Sequence, residues 1–196
     1  MAAARHILTV FLLIGTLAGC AAASLSPAAS AFIGPDLRFA IPSPRELGRP
    51  VDATQLVTAH FRGQTQVFEA HLSVSPERLT FIGLDPLGRR ALTVTASDAG
   101  ITVDAAPWLP AGLRAENILA DVAIVYWPEE AVRRGLSRTS ATLHADARER
   151  IITANGREIV RVEYEPRQGE AWAGAARYRN VAFGYELELQ SAVTAE

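Results

Sequence analysis

Between Thr65 and Ser75 apolar side chains occupy every second position: Phe68, Ala70, Leu72 and Val74 fall on one face, Glu69, His71 and Ser73 on the other. A period of two marks a strand with one buried face. Similar short runs cover Gln55 to Arg62, Arg78 to Leu84, Arg89 to Ala96 and Ile101 to Ala105, separated by Gly63-Gln64, Asp85-Pro86-Leu87-Gly88 and Ser97-Asp98-Ala99-Gly100. Strands this short and evenly spaced predict an antiparallel meander. One entire face of such a sheet is apolar, so another element has to cover it.

The period then changes once. Ile118, Leu119, Val122, Ala123 and Tyr126 recur at helical spacing within Arg114 to Trp127, which predicts one amphipathic helix. Pro128 restarts the chain, and Glu129 and Glu130 in a first turn with Arg133 and Arg134 in a last one suit the dipole of a second short helix ending near Leu136. Strand patterns resume over Ser140 to Ala145, Arg150 to Ala154, Glu158 to Tyr164 and Tyr178 to Leu189. Asn155-Gly156 is the strongest hairpin turn, because both residues tolerate positive φ. The expected class is mainly β (α+β): an antiparallel sheet curled into a half-open barrel, with the two helices as its lid. No internal repeat is visible.

At the start of the chain, Arg5 and His6 precede an apolar run from Ile7 to Leu17, followed by small residues. That is the grammar of a signal peptide over residues 1–19. A permanent spanning helix needs about 20 apolar residues, more than this run supplies. Residues 20–35, rich in Ala, Ser and Pro and almost uncharged, read as a flexible tether. Residues 36–196 form a single domain, with Leu37 to Ile41 as an edge strand among Pro35, Pro42, Pro44 and Pro50.

Composition narrows the function classes. The formal net charge is −2 and all 19 basic residues are arginine, without a clustered basic stripe, so nucleic acid is not an expected partner. The lone cysteine, Cys20, stands at the processing site, which removes intrachain disulfides and assigns it to attachment. Gly83 and Gly88 are spaced like the glycines of a phosphate loop, but Arg89-Arg90 replace the required Lys and Ser or Thr, and a turn is the better reading. His60, His71 and His144 lie on three separate strands without metal-ligand spacing. No nucleophile elbow occurs. Glu163/Glu165 and Glu186/Glu188 alternate with apolar residues, so they should face outward and pair with Arg157 or Arg161. No catalytic residue, metal or cofactor is expected.

The aromatics Trp108, Tyr126 and Trp127 flank the helical interlude, while Phe68, Phe81 and Phe183 lie on strands. Under a helical lid, such residues would wall whatever space remains. The expected ligand-cavity lining is Phe68, Leu72, Phe81, Leu92, Val94, Trp108, Leu119, Val122, Tyr126 and Trp127, and apolar walls of this kind suit long hydrophobic molecules.

Two resemblances extend this reading. Leu17-Ala18-Gly19-Cys20 resembles the lipobox of bacterial lipoproteins, which implies acylation of Cys20 and stable membrane anchoring. Ala21 is not the Asp that marks inner-membrane retention in enteric bacteria, so the implied address is the outer membrane, facing the periplasm. The segments Ile82-Gly83-Leu84-Asp85-Pro86-Leu87-Gly88-Arg89-Arg90, Leu119-Ala120-Asp121-Val122 with Tyr126-Trp127-Pro128, and Asn180-Val181-Ala182-Phe183-Gly184-Tyr185-Glu186-Leu187 resemble a family of uncharacterised outer-membrane lipoproteins. Its members are found beside aryl-polyene and related fatty-acid-like biosynthetic genes. The layout of strands, two helices and strands is similar, more distantly, to the Lol carriers that ferry lipoproteins between membranes. These resemblances imply a non-catalytic accessory protein that binds or transfers an acyl or polyenyl lipid, or a lipoprotein. The alternative expectation is a module that docks on biosynthetic or export proteins and holds no small molecule.

Overall fold

The computed structural model describes residues 29–109, 114–167 and 170–194. The expected signal segment, Cys20 and most of the expected tether lie outside them. Where that tether was expected to end, the chain is a strand. Residues Ser30–Gly34 (β1) and Leu37–Ala40 (β2) form an antiparallel hairpin that buries Ala31, Ile33, Leu37 and Phe39. Composition hid this hairpin, because its few large apolar side chains sit among Ala, Ser and Pro.

A single-turn helix at Pro44–Leu47 leads into Val51–Phe61 (β3), Gln64–Val74 (β4), Arg78–Leu84 (β5), Arg90–Ser97 (β6) and Gly100–Ala105 (β7). The helices Ala115–Tyr126 (α1) and Glu129–Leu136 (α2) follow, then Thr142–Ala145 (β8), Glu149–Ala154 (β9), Arg157–Arg167 (β10), Glu170–Asn180 (β11) and Tyr185–Val193 (β12). The strand series after the helices therefore has five members instead of four. The run expected as one strand, Tyr178 to Leu189, is broken at Val181–Gly184, where Gly184 takes φ 69° and Asn180 Oδ1 accepts the Phe183 N–H.

The protein is mainly β: one open, ten-stranded antiparallel sheet in the order β7-β6-β5-β4-β3-β12-β11-β10-β9-β8, with two short helices. Each half is a meander of consecutive neighbours, and the β3–β12 ladder joins the halves. The two ends of the helical connection, β7 and β8, are the opposite edges of the sheet. A chain leaving one edge for the other crosses the apolar face on its way, which places α1 where cover is needed.

Register shows how that inner face is assembled. Ala53, Leu72, Phe81 and Val94 are cross-strand neighbours and all buried, and the row ends on Val103 at the β7 edge, 53% exposed. In the other half, Leu143, Ile152 and Val160 form a similar row. From Leu119 to Trp127 every residue of the α1 segment is buried, because α1 packs against β1 of the hairpin as well as against β11 of the sheet. The expected amphipathic helix is thus enclosed from Leu119 onward, while Glu116 in its first turn stays exposed; a helix covered this way can be apolar nearly all round. On α2, Arg133 pairs with Glu129 within the helix, and Arg134 reaches Glu46 of the single-turn helix at 2.8 Å.

Candidate functional site

Three polar clusters lie where α1 meets the inner face. Asp121, at the middle of α1, is buried, 9% exposed, and faces β11 and β12. Tyr178 donates to its Oδ1 at 2.5 Å, and Tyr185 donates across both carboxylate oxygens at 2.9 and 2.7 Å. Burial pushes the Asp121 carboxyl from 3.8 up to about 7, with the two phenols partly opposing the shift. Tyr178 and Tyr185 are themselves held well above the usual phenol range, first by burial and then by the carboxylate.

One and a half turns further along α1, the Gln55 amide donates to the Tyr126 hydroxyl at 2.5 Å and to Ser191 Oγ at 3.0 Å, and Tyr126 and Ser191 lie 2.9 Å apart. The Tyr126 ring stacks on Trp172 with centroids 4.0 Å apart. This triangle contains no base to activate Ser191: its ionisable member, Tyr126, is raised by burial to about 12. Its hydrogen bonds satisfy polar atoms that would otherwise be orphaned in the core.

The C-terminal carbonyls of α1 are capped from the sheet. Arg150 on β9 donates one guanidinium nitrogen to Ile124 O at 2.8 Å and Trp127 O at 2.7 Å, while the Tyr164 hydroxyl donates to Val125 O at 2.7 Å. A cation suits the negative end of the helix dipole. Arg150→Ala leaves two carbonyls without that partner and is expected to cost about 2–3 kcal/mol. The loss is readable as a lowered Tm in a circular-dichroism melt, with Arg150→Lys recovering only part because an ammonium lacks the guanidinium's reach.

The residues expected to line a cavity separate into three groups. Leu72, Phe81, Leu92, Val94, Leu119, Val122, Tyr126 and Trp127 are packed in the core, and the Trp127 indole donates to Ser43 O at 3.0 Å. Phe68 is half-buried against that core. Trp108 is 50% exposed, with the Arg89 guanidinium 5.3 Å above its ring. What remains uncovered on the inner face is a patch around Phe68, which pairs with Val57 on β3; Ala59 and Leu187 beside it are also half-buried, and Phe61 is 45% exposed.

Of the depressions lined by described residues, one of about 510 Å³ is an open groove between the β3–β4 and β11–β12 turns, walled by Phe61, Arg62, Val181 and Tyr185 among others. Another, of about 390 Å³, lies at the opposite end of the sheet and is walled by Ser73, Ser75, Glu77, Arg78 and Thr80. Neither has a residue of α1 in its wall.

The outer face carries ion pairs. Glu186 and Glu188 meet Arg177 and Arg179 of the adjacent strand, where Arg157 or Arg161 had been expected; Arg161 instead pairs with Glu149 at 2.6 Å and Glu158 at 2.5 Å. Gly88 closes the β5–β6 turn with an N–H bond to Asp85 O at 2.8 Å, the role read from the sequence. His71 contacts Glu69, and His60 contacts Thr65. His144, Asp146 and Glu149 approach one another at the β8–β9 turn, but Asp146 accepts the Arg148 and Glu149 N–H groups and Glu149 is engaged by Arg161. Structural bonds therefore already engage one oxygen of each carboxylate.

The Asp121 cluster escaped sequence reasoning because its members, on α1, β11 and β12, share no local spacing. An acidic residue in the middle of an apolar helical run was the available signal. Residues 52–193 match the model of a family described as a protein of unknown function (DUF3261). No curated protein matches the chain significantly.

Proposed function

The chain belongs to the DUF3261 family, and from that premise we propose that it is a lipid-tethered envelope protein holding an apolar chain against the uncovered part of its inner sheet face. The observation that carries this reading is the patch formed by Ala59, Phe61, Phe68 and Leu187, apolar and only partly covered on the face that α1 otherwise closes. Burying such a surface under a ligand contributes about 25 cal/mol per Å² before ordering costs.

The address comes from the sequence. The signal-peptide pattern, the lipobox ending at Cys20 and Ala21 after it support acylation and an outer-membrane, periplasm-facing location. The segments resembling lipoproteins of aryl-polyene and fatty-acid-like gene clusters lie within the matched span 52–193, which supports an acyl or polyenyl chain as the guest. The protein supplies binding and shielding in this reading, with no bond made or broken.

A second reading draws on a different observation. Leu72, Val94, Leu119 and Trp127 are almost fully buried among protein atoms, so the space beneath α1 is filled by the chain itself. A filled interior suits an accessory module that docks on biosynthetic or export proteins.

Native mass spectrometry of the full chain, released gently from the envelope of a strain that makes the suspected lipid, separates the two. A retained lipid of defined mass, lost in Phe61→Asp while the melting temperature holds, is the expected result, Phe61 being 45% exposed. Bare protein from that strain, together with reproducible protein crosslinks in cells, would instead establish the docking module.

A further inference from the structure

Leu56, Val67, Val103 and Val193 are exposed singly along the strands, but five other exposed large apolar residues, three of them aromatic, gather at one end of the sheet. Phe61 flanks the β3–β4 turn, Val181 and Phe183 lie in the adjoining β11–β12 turn, and Leu87, 79% exposed, tips the β5–β6 turn with Trp108 close by. Two of these aromatics carry an arginine over the ring: Arg62 over Phe61 at 4.8 Å and Arg89 over Trp108 at 5.3 Å. The opposite end is built differently. Its described turns are Ser75-Pro76-Glu77, Asp98-Ala99 and Asp146-Ala147-Arg148, and its depression is lined by serine, threonine, glutamate and arginine.

We propose that the end bearing Phe61, Leu87, Trp108 and Phe183 rests on the surface of a lipid bilayer, with Arg62 and Arg89 at the level of the anionic phosphates. Aromatic rings with an apolar body and a polar edge settle at the headgroup boundary, and arginine can lay its stem along apolar surface while its charge stays in water. Turn tips suit this placement because they present side chains without exposing an unpaired sheet edge to hydrocarbon.

The tether permits it. Gly34, at the end of β1, lies against Ala182 in the β11–β12 turn, and Ile33 O accepts from Asn180 next to that turn. Ala29 is therefore roughly 17 Å back from this end at about 3.3 Å per strand residue. The nine residue-to-residue steps from Cys20 to Ala29 span up to about 30 Å when extended, which is enough to bring this end down onto the membrane that anchors Cys20. The outer face of the sheet is a weaker competitor for the bilayer, since its charges are paired among themselves along β10, β11 and β12.

The proposal rests on the tethered reading for the identity of the membrane, and its test keeps the two apart. Trp108 is the exposed tryptophan, Trp127 and Trp172 being buried, so it reports the position of this end by fluorescence. The full chain from the envelope, with whatever anchor it carries, is reconstituted into vesicles of phosphatidylethanolamine and phosphatidylglycerol with acyl chains brominated near mid-chain. The expected result is quenching that disappears in Trp108→Phe and is largely lost in the double variant Phe61→Ser/Phe183→Ser, whose substituted side chains already meet solvent. Iodide access to Trp108 should fall on reconstitution. Unchanged iodide access with no bromolipid quenching would overturn the proposal. Protection from iodide without bromolipid quenching would also overturn it, assigning this end to a second copy or another protein. A mass spectrum of the same sample reports acylation of Cys20 independently of either optical outcome.

Discussion

Acidification from about pH 8 to about pH 5 is expected to raise the melting temperature by roughly 10 °C, and Asp121→Asn to remove most of that gain. The carboxyl lies in the core with two phenols and, among the described residues, no cation against it, so burial raises its pKa from 3.8 to about 7. Between those values the folded chain holds a proton that the unfolded chain has released, and folding is weakened as pH rises. The stabilising contribution is complete below about pH 4 and gone once the pH has passed the folded value near 7. A difference of about three units corresponds to about 4 kcal/mol.

Other carboxylates work in a separate window. Glu46, Asp85 and Asp146 are held below their ordinary values by Arg134 and Ser43, by Arg89, and by the Arg148 and Glu149 amides respectively, although burial opposes this strongly at Glu46. Their contributions disappear only as the pH falls below about 4. Asparagine at 121 keeps an acceptor for Tyr178 and offers a donor that the Tyr185 oxygen can accept, so the variant should fold with a flatter profile. Asp121→Leu removes the carboxylate that accepts from both phenols and should be less stable at every pH. Melts of the three proteins across the pH range decide the matter; an unchanged slope in Asp121→Asn would refute the assignment.

The second large effect is expected at Gly135. A Cβ there would stand 2.4 Å from Phe39 Cε2 and 2.5 Å from the Ala40 carbonyl oxygen. The first contact is a fully buried ring and the second is backbone, so neither can retreat without moving the β1–β2 hairpin off α2. Gly135→Ala is expected to destabilise by about 3 kcal/mol, and Gly135→Val by more, against an intrinsic helix preference that favours alanine by about 1 kcal/mol. Denaturant unfolding reads the loss. Adding Phe39→Leu to Gly135→Ala should recover only part of it, because the Ala40 oxygen stays in place.

Gly135 also illustrates what the amino-acid order reveals. The alternation in β3 to β7 and the helical spacing of Leu119, Val122 and Tyr126 are local, and each was legible because a period is written along one segment. The Asn155-Gly156 turn was legible for the same reason: Asn155 takes φ 52° and Gly156 φ 70°. What stayed hidden depends on distant partners. The closeness of Gly135 to Phe39, the enclosure of α1 by a hairpin from the Ala-rich segment, and the meeting of Asp121 with Tyr178 and Tyr185 are all set by which surfaces the fold brings together. The expected cavity turns on the same point: the apolar residues were identified, but how closely Leu119, Val94 and Trp127 pack in the core depends on how α1 meets the sheet. The half-buried patch at Phe68 depends on how far α1 reaches, which no periodicity encodes.

The central β3–β12 ladder sets an order of assembly. Each meander can form from neighbours in the chain, but their junction pairs Ala53 with Val193 and Phe61 with Tyr185, the largest loop closure in the sheet. Until β12 is available, one edge of β3 remains an open template with an apolar face beside it. Such an intermediate invites pairing with other chains. Folding of this protein should therefore be slow for its size, and in the cell it should depend on a holding chaperone during the interval before its final strand arrives.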